Sequence, residues 1–599
     1  MKNARSLPYA LTTLALILAA CGQPSTPSVP SATAPQPSTS TPAPVATTDP
    51  AEPDAYLVGF RQGGIAALSV NSQAQRVEQA GGQVRAQWGN LAAVAARLTP
   101  AQVAKLKADP SVEYVEPDYQ RHALGMRSGA TDAQAAKGKP APAPAPTPAP
   151  VSTSSTPLWT ANGETTWGDT ALRVPSLQSS NYTGAGVAVC VGDTGIDGNH
   201  PEFQRRLQGF KNFVTSETNR NDAYQLNDVS HHGTHVSGTI FAQYGAGTGA
   251  SGLQSGESSN GVGGVATGAH LYMARVLGDT GSGSSSQIIN GVNWCAAQLK
   301  SKGGTEAHVV ISLSLGGGSA SQTEQRAYTA AYNSGALIVA ATGNDGAAVS
   351  YPAAYTNVLA VGAIDDTGTV ASFSNFGSKV ALVGPGVHVL SSVPLGQGSA
   401  ASASATGVAA FTDVSGADKS GRGTFSGNIV AAGAGTGTAG SNEFCGTSTR
   451  NTALSGNIAL IGRGTCSFEE KVANAVASGA KGVMVYNNVA GALGMSLTNS
   501  YSIPVVGITQ TDGKATLAKL PTTGTVAVTA ADYEYFDGTS MATPHVSAAA
   551  AVVWAAKPTL TPAQLTTQLT STATDLGAAG KDNYYGYGLV NPLKAITGN

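Results

Sequence analysis

The residues best placed to do chemistry lie near the C-terminal end, in Gly538-Thr539-Ser540-Met541-Ala542-Thr543-Pro544-His545. The run that follows, 546–556, is almost wholly Ala, Val and Trp and stops at Lys557-Pro558. Apolar on every side, it predicts a helix buried all round. Pro544 is tolerable in that helix only in its first turn. Ser540 then sits at the helix mouth, where free N–H groups and the positive dipole end face whatever binds. A serine held there can attack a carbonyl whose developing charge those donors stabilise. The simpler reading is a serine N-cap. Two earlier blocks decide between them. Asp193-Thr194-Gly195-Ile196-Asp197 follows the continuous apolar run 186–192, so it stands at the carboxyl end of a strand, where open α/β sheets build their sites. His231-His232-Gly233-Thr234-His235-Val236-Ser237-Gly238-Thr239 opens a helix, with Gly233, Ser237 and Gly238 allowing close packing. Zinc on the three histidines is the rival reading, but no carboxylate partner stands at a convincing spacing.

The elements that must position these blocks alternate. Strand-like runs at 271–276, 309–314, 337–341 and 358–361 are separated by helical stretches. That order predicts an α/β fold: a doubly wound, mostly parallel sheet with helices on both faces. At 599 residues the chain exceeds one core. Charged residues are only 11% and the net charge is −2, with no basic cluster to bind nucleic acid.

Lys2 and Arg5 precede an apolar run at 7–18 and then Ala19-Ala20-Cys21, an export signal too short to span a bilayer. Leu18-Ala19-Ala20-Cys21 resembles the lipobox of bacterial lipoproteins, which implies a lipid on Cys21 and a membrane link for the precursor. Without Cys21 an even number remains, Cys190, Cys295, Cys445 and Cys466. Cys445 with Cys466 is the preferred disulfide because its loop is short, and Cys190 with Cys295 follows by elimination only.

Residues 54–122 alternate as strand (56–60), helix (70–80), strand region (83–98), helix (100–107) and strand (112–117), a small α+β module. Through Asp109-Pro110-Ser111-Val112-Glu113-Tyr114-Val115-Glu116-Pro117 it closely resembles the inhibitor-type propeptide of the subtilisin family. The resemblance implies an intramolecular inhibitor that occupies the cleft, with cleavage somewhere after His122. Across 159–393 and 535–591 the chain resembles the subtilisin-like serine peptidases, with the three signatures in that family's order of Asp, His, Ser. The resemblance implies a catalytic set of Asp193, His232 and Ser540, and Asn344 in the oxyanion hole. Ser314, Leu315 and Gly316 match the segment that lines the cleft. Glu202 stands where the family often has an aspartate ligand for structural calcium, although 245–261 departs from the usual calcium loop. The resemblance implies that catalysis requires no cofactor.

The chemistry is consistent with those roles. His232 can take the serine proton near neutral pH, and Asp193 can fix its tautomer and stabilise the imidazolium. His231, His235 and His545 are expected to be structural. Ser350 near the pocket floor leaves room for an apolar or aromatic side chain. Where the family would reach its serine within about twenty residues of Pro394, roughly 140 intervene. This block, with strands at 456–464, 482–486 and 503–508 and a helix turning Val472, Ala473, Val476 and Ala477 inward, resembles the protease-associated (PA) domain. The organisation expected is therefore a signal at 1–21, a Ser/Thr/Pro tether at 22–53, a propeptide at 54–122 and a Pro/Ala linker at 123–157. The catalytic domain follows in two stretches, 158–394 and 533–599, with a β-rich insert at 395–532 between them. The function expected is a secreted serine endopeptidase acting on proteins or peptides, freed from its lipid anchor by maturation. The alternatives are an inactive scaffold that binds through its insert, and peptide ligation, which needs an amine to outcompete water.

Overall fold

The computed structural model describes residues 54–63, 69–124, 166–203, 206–243, 261–411, 414–417, 419–433, 442–489, 493–495 and 497–598. The export signal, Cys21, the tether 22–53 and all of the 123–157 linker beyond Leu124 lie outside them.

The first module contains β1 (Ala55–Phe60), α1 (Val70–Gln79), β2 (Gln83–Trp88), β3 (Ala93–Arg97), α2 (Pro100–Lys107) and β4 (Val112–Pro117). Its antiparallel sheet runs β2-β3-β1-β4. Ser69 caps α1, and Thr99 with Gln102 forms a capping box on α2, so both helices start where a side-chain oxygen can satisfy a free N–H. The single strand region expected at 83–98 is a hairpin, broken at Gly89–Leu91 where Ala92 turns left-handed. A fifth strand, β5 (Gln120–Ala123), leaves this module and joins the next one.

Two short helices, α3 (Trp167–Ala171) and α4 (Val174–Ser179), lead into β6 (Ala188–Asp193), β7 (Leu207–Asn212), α5 (His232–Phe241), β8 (His270–Arg275) and β9 (Ser282–Ser284). Then come α6 (Ser285–Ala296), β10 (Val309–Leu313), β11 (Leu315–Gly316), α7 (Gln322–Asn333), β12 (Ala336–Ala341), β13 (Val358–Ile364), β14 (Leu382–Pro385) and β15 (Val389–Ser392). Seven of these strands make an all-parallel sheet in the order β14-β13-β12-β10-β6-β8-β7. The unbroken apolar run of β6 is explained by its neighbours. Val189 and Val191 face a core shared with Val236 and Ile240 of α5, while Ala188 and Cys190 face Ile288 and Val292 of α6 and Tyr328 of α7. A Cys190–Cys295 disulfide ties β6 to α6 on that second face.

The insert holds β16 (Gly398–Ala405), β17 (Ser415–Gly416), β18 (Gly423–Ala431), β19 (Ile458–Gly462), α8 (Phe468–Ala477), β20 (Gly482–Tyr486), β21 (Val505–Ile508), α9 (Gln510–Lys519) and β22 (Thr522–Ala531). Its mixed sheet runs β16-β22-β18-β19-β20-β21-β17. Cys445 and Cys466 are bonded. The inward face expected of α8 is corrected: Val472 is buried, but Val476 and Ala477 are exposed and Lys471, Asn474 and Ala475 point in. Polar groups occupy that face because they hold the loop beneath it. Lys471 Nζ donates to Glu443 O at 2.7 Å, and Asn474 Nδ2 donates to Phe444 O and Gly446 O.

The chain returns through β23 (Tyr533–Phe536), which pairs antiparallel with β15, and enters α10 (Thr539–Ala556), followed by α11 (Pro562–Ser571) and α12 (Pro592–Thr597). Residues 539–554 of α10 are buried, as the apolar run requires. Pro544 is not in the first turn, because the helix starts at Thr539. A proline there removes the N–H that would serve the carbonyl four residues back, which belongs to Ser540. Ser314 Oγ donates to that carbonyl instead, at 2.8 Å.

Candidate active site

Three elements of the catalytic module and one of the first module meet at the carboxyl end of the parallel sheet. Asp193 is the last residue of β6, and its side chain is wholly buried. Its Oδ1 accepts from the Thr194 N–H at 2.7 Å and from His232 Nδ1 at 2.7 Å. That bond fixes which imidazole nitrogen carries the proton, leaving Nε2 as the basic one. His232 begins α5, and its Nε2 is buried without a hydrogen-bond partner. Gly233 lets α5 approach the loop after β6, since a Cβ there would lie 2.1 Å from Gly195 O.

Ser540 lies in the first turn of α10, which packs against α5. Its hydroxyl donates to Ser314 O at 2.8 Å and not to His232 Nε2. Its backbone N–H donates to Leu124 O at 2.9 Å. Asn344 Oδ1 accepts from the Thr539 N–H at 2.9 Å and Thr539 Oγ1 at 2.8 Å, which orients the amide with Nδ2 as its remaining donor end. The structure thus joins Asp193 to His232, ties Asn344 to the residue before Ser540, and ties Ser540 to Ser314.

The occupant of the cleft is the chain itself. β5 runs antiparallel between β9 and β11, with Arg121 opposite Gly283, His122 opposite Ser282 and Gly316, and Ala123 opposite Leu315. The Leu124 N–H donates to Ser314 O at 3.2 Å, and the Ala123 N–H to Gly281 O at 2.9 Å. A Cβ on Gly316 would meet Leu124 Cδ1 and Ser350 Oγ, each at 2.8 Å. Leu124 therefore lies against Gly316 beside Ser350, and a Cβ on Gly316 would crowd its side chain.

The match to known families falls on these same blocks. The family model described as the subtilase family matches residues 184–427 and 496–588. Subtilisin NAT from Bacillus subtilis subsp. natto is 35% identical over 346 residues, which is 57% of this chain and 74% of that protein. This chain belongs to the subtilase family. It is a subtilisin-like serine endopeptidase. The subtilisin of Bacillus pumilus is 39% identical over 235 residues, 38% of this subtilase and 75% of that protein. Among solved structures, the subtilisin-like protease Apa1 of Pseudoalteromonas sp. AS-11 aligns with TM-score 0.54 and 31% identity, over 72% of this chain and 97% of its own. Fervidolysin of Fervidobacterium pennivorans, at 21% identity and TM-score 0.54, shares the fold over 92% of this chain and 61% of its own. The peptidase inhibitor I9 model matches 62–124, and the PA domain model matches 425–516. The subtilase therefore carries its own inhibitory propeptide and an inserted PA domain.

Other residues of the subtilase settle around this centre. His235 and His545 are buried, and burial lowers them to about 3 and about 4. His235 Nε2 bonds to Val389 O and Glu534 O while its ring stacks on Phe536; His545 Nδ1 bonds to Met541 O. His231 precedes α5 in a left-handed conformation. Glu202 is fully buried, and its carboxylate accepts from the Gln243 N–H, the Val262 N–H and Tyr533 O–H. Donors suit a carboxylate and not a cation, so Glu202 does not fit the calcium role expected of it. It anchors the return strand β23. Of the expected departure at 245–261, residues 245–260 lie outside the described region.

Asp228 is the residue that motif matching passes over. Its carboxylate accepts from Thr194 Oγ1 at 2.8 Å, the Thr234 N–H at 2.7 Å and Thr234 Oγ1 at 2.5 Å. It clamps the loop after Asp193 to the first turn of α5, and burial raises its pKa. An aspartate four residues ahead of His232, at a helix start, is the signal that could have found it.

Proposed function

We propose that Asp193, His232 and Ser540 act as a charge-oriented nucleophilic set that cleaves this chain after Leu124 and then cleaves other proteins through the same cleft. The observation that carries this reading is the Leu124 carbonyl oxygen on the Ser540 N–H, a position in which charge would build up during attack. Ser540 Oγ leaves Ser314 O and transfers its proton to His232 Nε2 as it attacks the Leu124 carbonyl carbon. The oxyanion is held by the Ser540 N–H and by Asn344 Nδ2. A side-chain donor of this kind is worth about 10²–10³ in kcat, a figure established on subtilisin itself. Asp193 keeps the imidazolium oriented. The imidazolium returns the proton to the leaving amine, and water then releases the acyl group.

The substrate strand is read between β9 and β11, with Ser314, Leu315 and Gly316 supplying one edge and a leucine-sized apolar side chain filling the pocket beside Ser350. The precursor is exported by residues 1–21 and held by lipid on Cys21; because Cys21 lies on the propeptide side, cleavage after Leu124 separates the enzyme from the anchor. The PA insert leaves from β15 and returns through β23, which ends two residues before Gly538, and there it rims the cleft and limits which proteins enter. An organophosphonate serine reagent tests the reading. The expected result is a single adduct on the Ser540 peptide with loss of casein hydrolysis, and a His232→Ala chain that neither takes up the reagent nor hydrolyses casein. Labelling elsewhere, or hydrolysis that survives full modification of Ser540, contradicts it.

A further inference from the structure

The strand in the cleft buries a charge. Arg121 precedes Leu124 by three residues and is 0% exposed, as is Glu324 in the first turn of α7. The guanidinium grips the carboxylate with two parallel bonds, Nε to Oε1 at 3.1 Å and Nη2 to Oε2 at 2.8 Å, and Nη2 also donates to Ser319 O at 2.7 Å. The catalytic module has prepared this carboxylate. Ser285 Oγ donates to Oε1 at 2.5 Å, Tyr355 O–H to Oε2 at 2.9 Å, and the Glu324 N–H is capped by Ser321 Oγ. Burial, and next the Glu324 charge, push the Tyr355 hydroxyl far up, so it stays a neutral donor. Every one of these groups except Arg121 belongs to the module that remains after cleavage.

We infer that Glu324 makes the fourth position before the scissile bond selective for arginine, so that the preferred substrates read Arg-x-x-Leu, as the chain's own Arg121-His122-Ala123-Leu124 does. The inference rests on the register proposed above, with Leu124 at the bond. A substrate lying between β9 and β11 in that register brings its fourth side chain to Glu324. An arginine there satisfies both carboxylate oxygens with a planar fork. A lysine offers a point charge and loses one bond. An apolar side chain seals the carboxylate away from water with no counter-charge, which is the costly case for a buried ion.

The test uses enzyme matured from the full chain and four acetylated fluorogenic amides, Xaa-His-Ala-Leu, with arginine, lysine, norleucine or glutamate as Xaa. Arginine should exceed norleucine in kcat/KM by ~10–100-fold, lysine should fall between them and glutamate should be worst. In Glu324→Gln the arginine-to-norleucine ratio should shrink below about threefold, the neutral amide having lost the charge. The wild-type series stands alone if that variant fails to mature. Cleavage of all four with arginine and norleucine within about threefold overturns the inference and leaves Glu324 a propeptide anchor only, with the site itself intact. Cleavage of none of them overturns the site on which the inference rests.

Discussion

Pro544 and Ser314 form a pair whose coupling can be measured. The Ser540 carbonyl loses its helical donor because the residue four positions on is proline, and Ser314 Oγ supplies the replacement at 2.8 Å in a place with 0% exposure on both side chains. Ser314→Ala strands that carbonyl, and a buried acceptor without a partner costs about 1–3 kcal/mol. Pro544→Ala restores a backbone N–H aimed at the same oxygen. In the Ser314→Ala background it should recover about 1–2 kcal/mol, whereas with Ser314 present the carbonyl already has a donor and the gain should be smaller. The double-mutant cycle should therefore show a coupling of about 1 kcal/mol in favour of the pair changed together. Urea unfolding followed by tryptophan fluorescence reads it, with Trp554 on α10 itself as a local reporter. All four chains carry Ser540→Ala so that self-digestion cannot distort the curves. Effects that add within about 0.3 kcal/mol would refute the idea that Ser314 stands in for the missing helix bond.

Buried neutral histidines set the acid limit. His235 and His545 are depressed to about 3 and about 4, so their stabilisation is present above the unfolded value and is lost as pH falls through that window. Linkage puts the loss at roughly 3–5 kcal/mol each once pH is below both values, and inactivation rates measured from pH 7 to 4 should climb steeply below about 6; a flat profile contradicts it. Asp118 of the propeptide shows the reverse sign: burial raises it to about 6 while its carboxylate accepts from the Ser286 N–H and Oγ at the start of α6. Its contribution to propeptide binding is whole below about pH 4 and lost as pH rises through about 6, so severed propeptide should leave faster at pH 8 than at pH 5 in a timed activity release assay. The two disulfides should respond differently to mild reductant. Cys190 and Cys295 are at most 1% exposed inside the core, whereas Cys466 is partly exposed, so mass spectrometry should find Cys445–Cys466 opened first.

Much of this architecture is written in local patterns. The all-apolar run after Ser540 and the unbroken β6 segment can only be buried on every side, and α10 and β6 are. The motif blocks at Asp193, His232 and Ser540 stand at element ends because loops and helix mouths leave polar groups free there. What escaped was information carried by partners distant in sequence. β7 carries Gln208, Gly209 and Lys211 among its apolar residues, and β14 is four residues long and holds Gly384 and Pro385; both become strands because β8 and β13 offer edges to pair with. β5 has no apolar alternation at all in Gln120–Ala123, and it is a strand only because β9 and β11 flank it. The polar inward face of α8 breaks the apolar rule because a buried loop needs donors, and Glu202 reads as a metal ligand until Gln243, Val262 and Tyr533 are seen to fill it.

N-terminal sequencing of the mature enzyme beside the Ser540→Ala chain tests the register of the cleft most directly. A mature chain beginning at Gly125, with Ser540→Ala remaining unsevered, is the predicted result. A different first residue, or cleavage of the Ser540→Ala chain at that bond by itself, would contradict the placement of Leu124 before Ser540.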